Sequence, residues 1–189
     1  ARLQGKRAIV TGAARGIGRA SAKLLAKEGG QLVIADWAEE GLEETRKMIA
    51  AEGGKVSTRR IDAGKEADVV ALVEQAVSEL GGIDVLFANA GIGFTSDLLG
   101  TTDEDWDEIL GVNAKGVSLS AREAVRQLLA QEPAGGAVSI NGSISGMAGI
   151  PGQARCRRAY CPPSTPAVPQ APRRKSTATA RRQIGSLKR

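Results

Sequence analysis

Short apolar runs alternate along this chain with longer segments whose apolar residues recur every three or four positions. The runs at 6–11, 31–36, 55–61, 83–88 and 136–141 predict strands. Two of them, Val85-Leu86-Phe87-Ala88 and Ala137-Val138-Ser139-Ile140, have the length and bounding expected of strands buried on both faces. The segments 16–29, 39–53, 66–81 and 113–131 predict helices. In the third of these, Ala67, Val70, Ala71, Val73, Glu74 and Val77 include an apolar face at helical spacing. Thr102-Asp103-Glu104-Asp105 predicts the capped start of a shorter helix carrying Trp106, Ile109 and Leu110. Parallel strands need long crossovers, so this alternation predicts an α/β fold: a doubly wound parallel sheet with helices on both faces.

The pattern stops at about residue 154. Residues 1–154 form the expected domain, and residues 155–189 are a tail of Arg, Ala, Pro, Ser and Thr. The tail holds five of the seven prolines, and Val168, Ile184 and Leu187 are its only branched aliphatic residues. Such a segment buries too little apolar surface to offset its ordering entropy and is expected to be mostly disordered. It also explains the net charge of +5, because it carries 10 of the 26 basic residues and none of the 21 acidic ones. The body is therefore acidic, and the overall basicity says nothing about its ligand.

A chain of 189 residues fits one domain with a real core. No apolar run is long enough to span a bilayer, and the first residues contain no signal-peptide core, so the expected location is cytoplasmic. Both cysteines, Cys156 and Cys161, lie in the tail, and there is no histidine. A Cys-free body is compatible with a reducing compartment, and the composition gives no metal-ligand set.

The first strand runs into Thr11-Gly12-Ala13-Ala14-Arg15-Gly16-Ile17-Gly18, and a helix follows. Strand, glycine-rich turn and helix start in that order can form a socket for a dinucleotide pyrophosphate; a purely structural tight turn is the alternative. Gly12 permits the tight turn, Gly16 the approach of backbone to phosphate, and Gly18 close helix–strand packing. The free N–H groups and dipole of the helix start favour negative charge. The spacing is G-x-x-x-G-x-G, so Arg15 and Ile17 fall inside the cofactor-binding turn. An acidic residue is expected about 20 residues on, at the end of the next strand. Asp36 stands there, where a carboxylate can accept both ribose hydroxyls of NAD and repel the extra phosphate of NADP. Trp37 follows it, where a basic residue would favour NADP.

With these motifs in place, residues 4–154 resemble the short-chain dehydrogenase/reductase family, whose TGxxxGIG pattern matches Thr11 to Gly18. The resemblance implies a Rossmann-type sheet, here truncated after about the fifth strand, and an NAD-dependent oxidoreductase acting on a small-molecule alcohol or carbonyl compound. It places Asp62 and Ala63 at the adenine and Asn89-Ala90-Gly91 in the family's NAG core, with Ala88 replacing the usual first Asn. Asn113 falls at the asparagine of the family's proton relay and Ser143 at its catalytic serine. Each has an alternative: Asp36 as a solvated strand end, Asp62 as a helix cap, Asn89 as a turn residue, Asn113 as a helix-start polar residue. Ser143 has Ser139 and Ser145 as neighbours and has an ordinary loop serine as its alternative, but its position just after a buried strand favours the functional reading. Lys65 and the Arg59-Arg60 pair read as solvated surface charge. The pocket is expected near Gly93-Phe94-Thr95-Ser96 and after Ser143.

The family's tyrosine and lysine, four residues apart on one helix face, are missing. The tyrosine belongs about 13 residues after the serine, and the count from Ser143 lands on Cys156. Tyr160 is the only tyrosine and hence the remaining candidate base, but Ser164 stands where the lysine belongs, with Pro162 and Pro163 between. A catalytically inactive NAD-binding half-fold is therefore the alternative to an active enzyme. Nucleic-acid binding through Arg173-Arg174-Lys175 and Arg181-Arg182 is a third, disfavoured by the lack of aromatic residues among those clusters. Without the family's later strands, the segment 136–141 is expected to be an exposed edge, and Val117, Leu119, Val125 and Leu128 are expected to lack cover. Marginal stability and association into a homo-oligomer follow from that expectation. Gly149 to Ala154 still read like the family's approach to its tyrosine, and the abrupt change after them is the signature of a reading-frame shift in a G+C-rich gene. Resequencing the coding DNA is expected to reveal a Tyr-x-x-x-Lys motif in another frame after codon 154; its absence from every frame removes the frameshift reading.

Overall fold

The structure is a computed structural model, and it describes residues 1–93 and 99–143. Tyr160, Cys156, Cys161 and the whole 155–189 tail lie outside the described residues, as do Phe94, Thr95, Ser96 and Ser145.

Five parallel strands form one sheet: β1 (Arg7–Thr11), β2 (Gln31–Asp36), β3 (Lys55–Arg60), β4 (Val85–Ala88) and β5 (Ala137–Ile140), in the spatial order β3-β2-β1-β4-β5. The crossovers are helices α1 (Gly16–Lys27), α2 (Glu39–Ala51) and α3 (Glu66–Leu80). Between β4 and β5 the chain runs through α4 (Asp103–Leu110), a π-helical turn (Gly111–Gly116) and α5 (Val117–Ala130). The predicted α/β sheet and every predicted element are present. Order reverses between β1 and β4, the switch point at which open α/β sheets form a crevice beyond their carboxyl ends.

The two-residue period of the strands decides which layer each side chain joins. Ala8, Val10, Leu32 and Ile34 face Ala22 of α1 and Leu42 and Ile49 of α2. Ile9, Val33, Ala35, Leu86 and Ala88 face Leu72, Val73 and Ala76 of α3 and Ala124 and Leu128 of α5. The central strands are buried on both faces, as a parallel sheet requires.

Four expectations need correction. The buried face of α3 is Val69, Leu72, Val73 and Ala76, whereas Ala67 and Glu74 are exposed. Both sets obey helical spacing, and packing on the sheet and α5 selects the rotation. The helix predicted to begin at 113 continues from α4 without a break, because Gly111 adopts ordinary right-handed helical angles. Leu119 and Leu128 are buried, Leu128 in the cluster formed by the sheet and α3, while Val117 and Val125 are half-buried. Finally, β5 is not a buried strand, since Ala137 and Ser139 are exposed; among the described residues it is the outermost strand on the β4 side, the exposed edge expected of segment 136–141. Thr102, by contrast, caps α4 as expected, its hydroxyl accepting from the Asp105 N–H and its own N–H donating to the Asp105 carboxylate.

An ion pair ties the amino end of β1 to the residue just before β4. Arg7 Nε and N–H both donate to Asp84 Oδ2, at 3.0 and 2.9 Å, and Arg7 Nη2 donates to Oδ1 at 3.1 Å. Burial pushes the Asp84 carboxyl up, but the hydrogen bonds and charge of Arg7 outweigh it and hold the group below its ordinary value of 3.8. A carboxylate depressed in the folded state contributes fully above its unfolded pKa and loses that contribution as pH falls through the folded one. Wild-type protein should therefore lose stability more steeply than Asp84→Asn as pH falls from about 5 toward 3, in denaturant midpoints measured across that range. Parallel pH profiles for the two proteins would contradict this.

Candidate functional site

The turn after β1 is built by close backbone approach. Gly12 is left-handed at φ +69°, and a Cβ there would lie 2.8 Å from both Ala90 Cα and Asn89 Nδ2. A Cβ at Gly18 would overlap the carbonyl oxygen of Gly12. Gly16 is left-handed at φ +56° with open space around it. Backbone contact therefore demands glycine at two of the positions, while the middle one borders a free volume. Arg15, the residue before α1, provides no side-chain cap, and the first turn contains no acidic residue. The first N–H groups of α1 and its positive dipole end consequently point toward that volume without a protein carboxylate. Arg15 and Ile17 are exposed beside them.

Asp36 ends β2 next to this turn and is not merely a solvated strand end. Its Oδ2 accepts from the Ala14 N–H at 2.9 Å and its Oδ1 from the Ala38 N–H at 3.0 Å. Each oxygen keeps further acceptor capacity. The adjacent Trp37 is 60% exposed, and the Arg60 guanidinium sits 4.2 Å from its ring centroid. Arg60 Nε also donates to the Trp37 carbonyl at 3.3 Å, and Arg59 donates to Gln75 Oε1 at 3.0 Å. These arginines are thus held by neighbours, contrary to the reading of the pair as simple solvated charge; Lys65 is exposed, 3.5 Å from Asp62.

On the other side of β1, Asn89 ties the crevice together. Its Nδ2 donates to the carbonyls of Thr11 and Gly12, at 3.2 and 3.1 Å. The Thr11 hydroxyl accepts from the N–H groups of Asn89 and Ala90, both at 3.1 Å. Asn141, just past β5, donates from Nδ2 to Asn89 Oδ1 at 2.9 Å. Asn89 is therefore more than a turn residue: it staples β1, β4 and β5 at their carboxyl ends. Asp62 shapes the entry to α3, accepting from the Gly64 N–H at 3.0 Å, while its own N–H donates to the Asp68 carboxylate at 2.8 Å. Ala63 is buried, with its carbonyl against Gly116.

Asn113 lies inside the π-helical turn, not at a helix start. Its Oδ1 accepts from the Ile92 N–H and its Nδ2 donates to the Ile92 carbonyl, each at 2.8 Å. The side chain pairs with both backbone groups of one residue and so holds the chain leaving β4, next to exposed Gly91. Ser143 is exposed two residues beyond Asn141. The structure thus assembles the glycine turn, Asp36, Asn89-Ala90-Gly91 and Asn113 around the carboxyl ends of β1, β2 and β4. Thr11 and Asn141 were missed in the sequence. Thr11 carried a signal in its place at the strand end, whereas nothing local marks Asn141 as a partner of a residue 52 positions away.

The sequence model of the short chain dehydrogenase family matches residues 6–156. The chain belongs to that family. Among its relatives are the short-chain dehydrogenase/reductase eriH of Hericium erinaceus, 39% identical over 76% of this chain and 58% of that protein. Another is the 3-oxoacyl-[acyl-carrier-protein] reductase FabG of Thermotoga maritima, 36% identical over 80% of this chain and 61% of that protein. A crystal structure of a short chain dehydrogenase from Mycobacterium smegmatis superposes with a TM-score of 0.79 at 36% identity, covering 84% of this chain and 66% of that one. A short-chain dehydrogenase/reductase from Burkholderia phymatum, solved in complex with NAD, superposes with a TM-score of 0.77 at 33% identity, covering 81% of this chain and 54% of that one. The chain therefore spans about three-fifths of the curated relatives' length. The family is one of oxidoreductases that bind nicotinamide dinucleotides. Among the described residues no helix is long and apolar enough to cross a membrane.

The Asn113–Ile92 pairing has a measurable consequence. Asn113→Ala leaves two backbone groups without their partner and should cost about 1–3 kcal/mol of stability. Hydrogen exchange at the Ile92 amide should accelerate more than exchange in β2; equal acceleration of both would show that the pairing is not local.

Proposed function

We propose that residues 1–154 are a dinucleotide-binding domain that takes NAD in preference to NADP. The observation that carries this reading is the uncapped start of α1 facing open space at Gly16, with the anchored Asp36 carboxylate beside it. A helix N-terminus without its own acidic cap suits a diphosphate, and a fixed carboxylate suits vicinal hydroxyls and opposes a 2′-phosphate. Gly12, Arg15, Gly16, Ile17 and Gly18 would border the diphosphate, Asp36 the adenosine ribose, Asp62 and Ala63 the adenine, and Asn89, Ala90 and Gly91 the nicotinamide half. When bound, the cofactor supplies a hydride donor or acceptor for a secondary alcohol or ketone. The residues of this chain bind and orient it. The NAD complex of the Burkholderia phymatum relative supports the choice of ligand class.

Turnover is a second reading, favoured by family membership and by the position of Ser143 just beyond β5. Ser143 and Asn113 would then polarise the substrate oxygen and hold a proton path, and Tyr160 would be the proton carrier. The Asn113 side chain is already engaged with Ile92, and no lysine stands four residues after Tyr160. An unassisted tyrosine, with a pKa near 10, is a poor base at neutral pH. We therefore favour binding without turnover, in the cytoplasm, with self-association along exposed β5. The basic tail gives no comparable support for a nucleic-acid partner.

Calorimetry should show NADH binding at least about tenfold tighter than NADPH, and Asp36→Asn should erase most of that preference, as the loss of one charge-assisted contact of about 1.5–3 kcal/mol implies. A panel of secondary alcohols and ketones should give no hydride transfer. A folded protein that ignores both nucleotides would overturn the binding reading, and measurable turnover would restore the enzymatic one.

A further inference from the structure

Arg19 stands one residue after Gly18, in the first turns of α1. Helical side chains lean toward the helix N-terminus, and this one reaches back over the glycine turn. Its Nε donates to the Ala14 carbonyl and to the Thr45 hydroxyl, both at 3.0 Å. Its Nη2 meets the Ala14 carbonyl as well, together with the Gly41 carbonyl at 3.3 Å and Glu44 Oε2 at 2.7 Å. Gly41, Glu44 and Thr45 share one face of α2 by their spacing of three and four. Gly41 is pressed so close that a Cβ there would lie 3.0 Å from Ala14 O.

Thr45 is fully buried, and its hydroxyl lies 2.9 Å from both the Ala13 carbonyl and the Gly41 carbonyl. It has one proton to give. The Gly41 carbonyl is already within reach of Arg19 Nη2, so donation to Ala13 leaves no buried acceptor without a donor. The peptide unit joining Ala13 to Ala14 is then gripped on both edges: its oxygen by Thr45, its N–H by Asp36 Oδ2 at 2.9 Å. The next peptide is held at its oxygen by Arg19.

We propose that Arg19 and Thr45 are positioning residues for the adenosine ribose. They act through the Ala13–Ala14 peptide to hold Asp36 against the glycine turn, and thereby set discrimination between a free ribose hydroxyl and a 2′-phosphate. The inference rests on the cofactor reading given above. Neither side chain needs to touch the nucleotide. A purely structural role would weaken every nucleotide alike, whereas this role changes the ratio between two that differ only at the 2′ position.

The test compares Arg19→Lys, which keeps the charge and loses the fork, with Thr45→Val and its conservative counterpart Thr45→Ser. Dissociation constants for NADH and NADPH are measured by nucleotide fluorescence on each protein, with thermal midpoints recorded in parallel. Arg19→Lys and Thr45→Val should each lower the NADPH-to-NADH ratio of Kd by about fivefold or more, within the range of one buried hydrogen bond, and Thr45→Ser should keep the wild-type ratio. The proposal is overturned if both folded variants keep that ratio, whatever happens to their thermal midpoints. If Arg19→Lys fails to fold, the Thr45 pair alone decides by the same criterion. Wild-type protein that binds neither nucleotide overturns the cofactor reading and this inference with it; wild-type binding with unchanged ratios overturns this inference alone.

Discussion

The carboxyl edge of this sheet is organised by backbone packed against backbone. The turn after β1 lies so close to the chain leaving β4 that a single methyl at Gly12 would meet Ala90 and Asn89. The start of α1 lies closer still to the carbonyl of Gly12. Interiors packed at crystal density do not yield easily to such a methyl. Asn89 and Thr11 then convert proximity into hydrogen bonds that tie the end of β1 to the end of β4. The crevice at the switch point is thereby preformed.

Electrostatics complete what packing begins. The positive end of α1 has no acidic residue of its own, and the nearest organised carboxylate, Asp36, is turned to the Ala14 and Ala38 amides rather than to the helix start. An uncapped helix start and an anchored carboxylate thus flank the glycine turn, whose Ala13–Ala14 peptide lies between Asp36 and Thr45. That peptide is held from behind by α2. In the proposed cofactor reading the first crossover helix receives the anion, while the second braces the turn. The other half of the molecule supplies support: Asn113 clamps Ile92, and Asn141 closes on Asn89.

Much of this was readable in the chain. Strand positions came from runs such as Leu32 to Ala35, whose burial on both faces leaves no alternation to confuse with a helix. The glycine turn and Asp36 were readable because their roles depend on residue type and local spacing. The face of α3 was misread by about one residue, since several choices satisfied the same periodicity and only the neighbours distinguish them. The helix expected to begin at 113 instead continues from α4, because Gly111 is right-handed and the chain runs on through a π turn. Arg60 looked like surface charge because its partner, Trp37, belongs to another strand end.

By itself the sequence determined the α/β alternation, the glycine-dependent turn, the acidic strand end, family membership and the absence of a Tyr-x-x-x-Lys pair. These depend on periodicity, on backbone freedom and on composition, all of which are local. Tertiary structure decided which face of α3 is buried, that Asn113 binds backbone, and that Arg19 and Thr45 brace the peptide bound to Asp36. Asn113 and Ile92 stand 21 positions apart, and Thr45 and Ala13 stand 32 apart. No local pattern encodes such pairings, because the free energy of a hydrogen bond between distant segments exists only once the sheet has brought them together.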